Sequence, residues 1–196
     1  MNYSIFDVDG TILDSMEVWN TLASRYIQSL DRIPEKNLDE IVSEMSLEQS
    51  AKYLKNRYRI NKQEEVIISE VLNLISDFYK YEVKLMPGFK DFITHFDSMN
   101  VIGTSCDEEL VKSALKRLGV LDYFEDIMTC SKVNKGKDDP GFYLACADIL
   151  KQKPDNIFVF EDADYCIDAA RKVGFKVVKI KDWRDLNEEC INNCGK

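Results

Sequence analysis

The sequence predicts an α/β fold: a doubly wound parallel sheet with an inserted all-helical segment. Three observations predict it. Tyr3 to Asp7 is a short apolar, aromatic run that breaks at Asp-Val-Asp-Gly, as a buried strand does where it ends in a polar loop. Residues 15 to 82 then carry apolar side chains at intervals of three and four with no strand pattern among them. Beyond Met86-Pro87-Gly88, short apolar runs alternate with helical patterns, the texture of βαβ units and hence of a parallel sheet covered on both faces.

Each element follows in chain order. Asp14 to Leu30 has Met16, Trp19, Leu22, Ala23, Tyr26, Ile27 and Leu30 on one helical face, and the same period runs through Leu38 to Met45, Leu47 to Tyr58 and Glu64 to Tyr81. Ser46-x-x-Gln49 and Asn61-x-x-Glu64 read as capping boxes, in which side chains satisfy the first free amides of a helix. Phe89 to Phe96 is a helix, Val101 to Ser105 a strand, and Asp107 to Leu118 a helix ended by Gly119, with Ser105-x-x-Glu108 as a third candidate box. Ile127 to Cys130 is a weak strand and Lys132 to Asp139 a loop. Asp139 can cap a helix whose first residue is Pro140 and which runs to Leu150. Ile157 to Phe160 is the clearest strand, Tyr165 to Val173 a helix ended by Gly174, and Lys176 to Ile180 the last strand. The division expected is a core of residues 1–14 and 83–196 with a helical cap of residues 15–82.

Composition narrows the function. The 196 residues carry 26 basic and 35 acidic side chains, a net charge of −9, and the isoelectric point is near 4.8. Such a chain lacks the clustered Lys and Arg that bind a phosphate backbone or an anionic bilayer, which argues against nucleic acid and membrane as partners. No apolar run approaches the ~18 residues of a membrane span. Six cysteines are too sparse for a disulfide scaffold, and the opening MNYSIFDVDG puts acids where a signal peptide needs a basic and then an apolar stretch. The expectation is a reduced, cytoplasmic protein, monomeric, with a dimer as the alternative.

In an open α/β sheet, ligands bind beyond the carboxyl ends of the strands. Four predicted strand ends are polar: Asp7-Val8-Asp9-Gly10-Thr11, Thr104-Ser105-Cys106-Asp107, Ser131 to Lys137, and Glu161-Asp162. Asp7 and Asp9 can point into one crevice, and Asp162 reaches it from another strand. Crowded carboxylates repel unless a cation neutralises them, and oxygen donors without a nearby histidine favour Mg²⁺. A calcium loop is excluded, because Asp7 to Asp14 lacks the alternating ligands and terminal Glu. Gly136-Lys137 lacks the glycine spacing and following Ser/Thr of a P-loop.

With these residues in view, the chain resembles the phosphatases of the haloacid dehalogenase superfamily, in the branch with a small helical cap after the first motif, which also holds the β-phosphoglucomutases. The resemblance covers nearly the whole chain. It implies a Rossmannoid core and a nucleophile at Asp7. Asp9 is then the general acid toward the leaving alcohol and the general base toward water. A hydroxyl at Thr104, or with a shift of register the thiol of Cys106, binds the phosphoryl group. A catalytic lysine falls on Lys137, for which Lys135 is a weaker match. Mg²⁺ would be held by Asp7, Asp9, Glu161 and Asp162. Gly10, Thr11, Ser105 and Trp19 are the candidate substrate-binding residues, with amides near Gly10 as donors. The implied substrate is a small phosphorylated metabolite, since a cap closes over the site.

This sequence departs from the family pattern at Asp138, Ala163 and Cys166, which bear on loop shape. The mutases of the branch carry a His at the position of Trp19 and an Arg in the cap motif matching Ser43 to Leu47. Neither is present, which favours hydrolysis over mutation. A phosphosugar mutase and a catalytically idle, receiver-like phosphate-binding module are the rival readings. Lys52, Lys55, Arg57, Arg59 and Lys62 read as a solvated basic face, with an anion-facing edge as the sharper alternative. His95 reads as structural, and Cys190-x-x-x-Cys194 as a surface tail.

Overall fold

A computed structural model describes residues 2–43 and 45–186. Cys190 and Cys194 lie outside the described residues. Five parallel strands form one sheet in the order β3-β2-β1-β4-β5: β1 Asn2–Phe6, β2 Ser98–Thr104, β3 Asp126–Thr129, β4 Ile157–Glu161 and β5 Lys176–Lys179. The order reverses at β1, whose Phe6 aligns with Ile102 of β2 on one side and Phe160 of β4 on the other. That reversal opens a crevice beyond the carboxyl ends of β1, β2 and β4.

Four helices follow β1 before the chain returns to the sheet: α1 Met16–Ser29, α2 Leu38–Val42, α3 Leu47–Arg57 and α4 Glu64–Asp77. The apolar stripe of α1 buries Leu22, Ala23, Tyr26 and Ile27. Ser46 and Gln49 form the expected capping box of α3. The box expected at Asn61 does not form. The cap position falls two residues later, on Gln63, which makes no side-chain cap, and the helix begins at Glu64. α4 continues into one wider turn over Phe78–Glu82, closed by Val83 N donating to Phe78 O at 2.8 Å.

The remaining helices flank the sheet: α5 Phe89–His95, α6 Glu108–Arg117, α7 Cys130–Val133, α8 Pro140–Leu150 and α9 Asp164–Lys172. α6 is capped by Asp107, whose carboxylate accepts the Glu109 and Leu110 amides, so Ser105 and Glu108 form no box. α7 is a single turn that occupies the start of the expected loop after β3. Thr129 caps it by accepting Lys132 N. Asp139 caps α8 with Pro140 at its first position, as the sequence predicts.

The chain crosses twice between the sheet and the helical block, and the two crossings are tied together. Asp14 N donates to Lys84 O at 2.9 Å, Met86 N to Ile12 O at 2.8 Å, and Leu13 bridges Leu85 antiparallel. Arg117 of α6 donates to the carbonyls of Val83 and Tyr79, holding the returning crossing against the core.

One face of the sheet is sealed by aromatic rings. Phe6 is fully buried and meets Phe89, Phe92, Phe124, Phe160 and Trp183 at centroid distances of 4.5–6.4 Å. The Trp183 indole also donates to Thr11 O at 2.7 Å, fixing the loop after β1 from below. Because Phe6 immediately precedes Asp7, this packing sets where that carboxylate stands. Phe6→Ala is expected to cost about 3–5 kcal/mol of stability in urea unfolding.

Candidate active site

Asp7 emerges at the end of β1, its amide donating to Phe160 O at 3.0 Å and so continuing the ladder with β4. Glu161 and Asp162 leave the end of β4 beside it. Lys137 arrives from the loop before α8, where the Asp139 cap and Pro140 fix the start of the helix. Its ammonium donates to Asp7 Oδ1 at 2.5 Å and to Glu161 Oε1 in a very short contact. Lys137 and Glu161 are buried and Asp7 nearly so.

Burial alone would lower the pKa of Lys137, but the charges of Asp7 and Glu161 outweigh it and hold the ammonium well above its ordinary range. Burial and the charge of Asp7 push Glu161 up, against the pull of Lys137. Asp162 is raised to about 6, first by burial and then by Asp7. Asp7, Glu161 and Asp162 can each offer an oxygen within 4.8 Å of the others. Three carboxylates against one ammonium leave two uncompensated negative charges, the charge of one divalent cation.

Mg²⁺ fits this donor set. The oxygens are hard, and Asp7 Oδ2 is buried without a hydrogen-bond partner, so one ligand atom is already desolvated and unengaged. Gly10 keeps the approach open. It adopts φ +87°, and a Cβ there would collide with Asp162 Oδ2.

The Asp9 carboxylate stands apart from this cluster. Its Oδ1 accepts Ser15 Oγ at 2.6 Å and, in a very short contact, the hydroxyl of Tyr79, which itself accepts Trp19 Nε1 at 2.7 Å. Burial raises Asp9 to about 6 against the lowering effect of these donors. The side chain the sequence assigned to the metal is thus engaged by the helical block instead.

The other sequence-predicted residues divide. Thr104, Ser105, Cys106 and Trp19 border the same cavity as Asp7, Asp9, Lys137, Glu161 and Asp162. Thr104 accepts Cys106 N at 3.0 Å, and Ser105 Oγ lies 3.3 Å from Cys130 Sγ. Thr11 is fully buried with an unpartnered hydroxyl and does not line the cavity, nor does Gly10. The amides of Gly10 and Thr11 donate to Leu13 O and Val8 O, so they close the turn and are not free for a phosphate. Lys135 pairs with Asp139 at 2.9 Å, at the surface. His95 is exposed on α5, bonded to Asp91 O.

Two tyrosines carry roles that the sequence reading missed. Tyr79 links Trp19 to Asp9. Tyr143, buried on α8, donates to Glu161 Oε1 at 2.9 Å and completes the coordination of that oxygen beside Lys137. Both sit within helical apolar stripes, where an aromatic ring normally signals core. The only local hint is that a buried phenol needs a partner.

Comparison with known proteins gives a consistent picture. The family model described as haloacid dehalogenase-like hydrolase matches residues 4–180. Similar proteins include the β-phosphoglucomutase of Bacillus subtilis, 26% identical over 92% of this chain and 83% of that protein. The fructose-1-phosphate phosphatase of Escherichia coli is 25% identical over 90% of this chain and 95% of its own. The phosphorylated carbohydrates phosphatase of Thermotoga maritima is 25% identical over 90% and 83%. Among solved structures, the β-phosphoglucomutase of Clostridium difficile superposes with a TM-score of 0.80 at 19% identity, covering 98% of this chain and 96% of that one, and shares the fold.

Two outcomes test this geometry. Tyr143→Phe should weaken Mg²⁺ binding by about 10–100-fold in calorimetric titration, since the phenol orients a ligand from behind. Tyr79→Phe strands the Trp19 N–H without its acceptor and should cost about 1–3 kcal/mol in urea unfolding.

Proposed function

The chain belongs to the haloacid dehalogenase-like hydrolases, and on that footing we propose that it is a Mg²⁺-dependent phosphatase that hydrolyses a small phosphorylated metabolite through an aspartyl phosphate on Asp7. The observation that carries the reading is the meeting of Asp7, Lys137, Glu161 and Asp162 at one end of a cavity of about 350 Å³. Relatives named as phosphatases support it. Residues 15–82 act as the cap and residues 1–14 with 83–196 as the core.

Asp7 attacks phosphorus in line, forming the acyl phosphate as the bond to the leaving oxygen breaks. Asp9 gives its proton to that oxygen, and a pKa of about 6 leaves roughly one carboxyl in ten protonated at pH 7. Asp9, now ionised, takes a proton from the water that attacks the same phosphorus. Inorganic phosphate leaves and Asp7 is regenerated. Lys137 and the Thr104 hydroxyl offset the charge on the phosphoryl oxygens. Mg²⁺, held by Asp7, Glu161 and Asp162, would supply Lewis-acid stabilisation to the same oxygens. Glu161 and Tyr143 act by holding Lys137 and the metal ligands in position.

A phosphosugar mutase is the second reading, favoured by the name of the Bacillus subtilis relative. Returning phosphate from the enzyme to a sugar phosphate passes through a bisphosphate, so a mutase cavity must seat two phosphates. Among the described residues, Lys137 is the one cation lining this cavity, and Asp7 and Glu161 already engage it. That favours hydrolysis.

The test is phosphate release from a panel of small esters with Mg²⁺ and with EDTA, run beside glucose 1-phosphate isomerisation. Release should require Mg²⁺ and outrun isomerisation, and Asp9→Asn should lower kcat by about 10²–10⁴-fold. Isomerisation outrunning release, or unchanged turnover in Asp9→Asn, would overturn the mechanism.

A further inference from the structure

The cavity has two chemically different ends. At the sheet end stand the carboxylates and Lys137. Beyond Trp19 the wall belongs to the helical block: Val42 of α2, Met45, Leu47 of α3 and Ile68 of α4 are partly exposed along it, with Leu22 of α1, Ala51 and Leu54 of α3, and Ile67 and Val71 of α4 buried behind them. Among the described residues four polar side chains interrupt it, and three of those are engaged in part. Asp39 accepts the amide and hydroxyl of Ser24, Ser43 Oγ donates to Glu40 O at 2.8 Å, and Ser50 Oγ to Val42 O at 3.5 Å. Asn20, exposed at the rim, is the fourth.

None of the five residues of the basic stretch lines the cavity. Lys55 pairs with Glu64, Arg57 with Glu35 and Lys62 with Glu70, all within the helical block. The sharper reading of that stretch, an edge facing a bound anion, is therefore not met at this cavity.

A polyol pushed against this wall would find only Asn20 and the spare acceptor sites of Asp39, Ser43 and Ser50, and each hydroxyl left against aliphatic carbon would cost about tenfold or more in affinity. Among the described residues, a second anionic group at this wall would meet no cation. A saturated or aromatic hydrocarbon would bury against it favourably, at about three- to fourfold per methylene. We propose that the substrate of this site is a phosphate monoester whose alcohol is apolar, an alkyl or aryl group lying against α1, α3 and α4, not a sugar phosphate or a bisphosphate. The proposal deepens the phosphatase reading and rests on it for the chemistry, though not for the binding.

Two measurements separate the two. Calorimetric binding of n-alkylphosphonates from ethyl to hexyl, which cannot be hydrolysed, reads the wall alone: affinity should rise about three- to fourfold per methylene. Leu47→Gln should flatten that slope. Mg²⁺-dependent phosphate release should follow the same order across n-alkyl phosphates, with phenyl phosphate above hexose phosphates in kcat/KM. A phosphonate series without slope, or hexose phosphates ahead of every alkyl and aryl ester, overturns the apolar assignment. A sloped phosphonate series with no phosphate release from any ester upholds the wall and overturns the phosphatase reading.

Discussion

The site depends on a buried lysine shared by two buried carboxylates. Removing such charges from water costs several kcal/mol per ion, and only close, well-directed pairing offsets it. Lys137 reaches Asp7 and Glu161 together only because β1 and β4 are neighbours with aligned ends. The loop that carries it is gripped by the Asp139 cap and Pro140, and Tyr143 of the same helix closes on Glu161 from behind. Helix start, strand order and aromatic packing under Phe6 thus serve one requirement, that a triangle of charge be held without slack. The pairing is still incomplete. Two negative charges remain over, which is why the same geometry that stabilises the lysine also offers a place for a divalent cation.

Much of this was legible along the chain, for local reasons. The strands β1 and β4 announce themselves as apolar runs broken by acids, and the Asp139-Pro140 and Ser46-x-x-Gln49 signals act over a single turn, so sequence spacing nearly fixes the geometry. Where two local signals competed, spacing did not decide. Asp107 stands directly before α6 and reaches two amides, so it displaces Ser105 as cap. Gly10 and Thr11 belong to the signature loop, yet the turn consumes their amides and the Trp183 indole pins the loop from the far side. Tyr79 lay beyond reach for a different reason. Its partner Asp9 is 70 positions away, and only the wider turn that ends α4 aims its hydroxyl at the sheet. Trp19 shows the intermediate case, being close enough in sequence to Asp9 to attract notice, while its actual link runs through Tyr79.

The division of labour inside the cavity explains how a family with one core can serve many substrates. Phosphoryl transfer asks for positioned charge, and the sheet supplies it from strand ends. The far wall of the cavity is built from another set of residues, on helices inserted after β1, and among the described residues, apart from Ser15, Tyr79 and Trp19, these do not touch the charged end. In this chain that second wall is aliphatic, although three of its relatives are named for carbohydrate substrates. The Asp9 carboxylate is tied to the helical block through Ser15 and Tyr79, with Trp19 behind Tyr79, so the charged end and the far wall share one hydrogen-bonded link.

The paired crossings between sheet and helical block have a mechanical meaning. Two separate linkers would let the block swing, twist and slide, each as an independent motion. Cross-linked by Asp14 to Lys84, Met86 to Ile12 and the Leu13–Leu85 bridge, they bend as a single narrow plate. A block hung on such a plate keeps essentially one soft rotation, like a door on its leaf. Any displacement of the block must then follow that one rotation, and the Tyr79 hydroxyl on Asp9 marks its position in this structure.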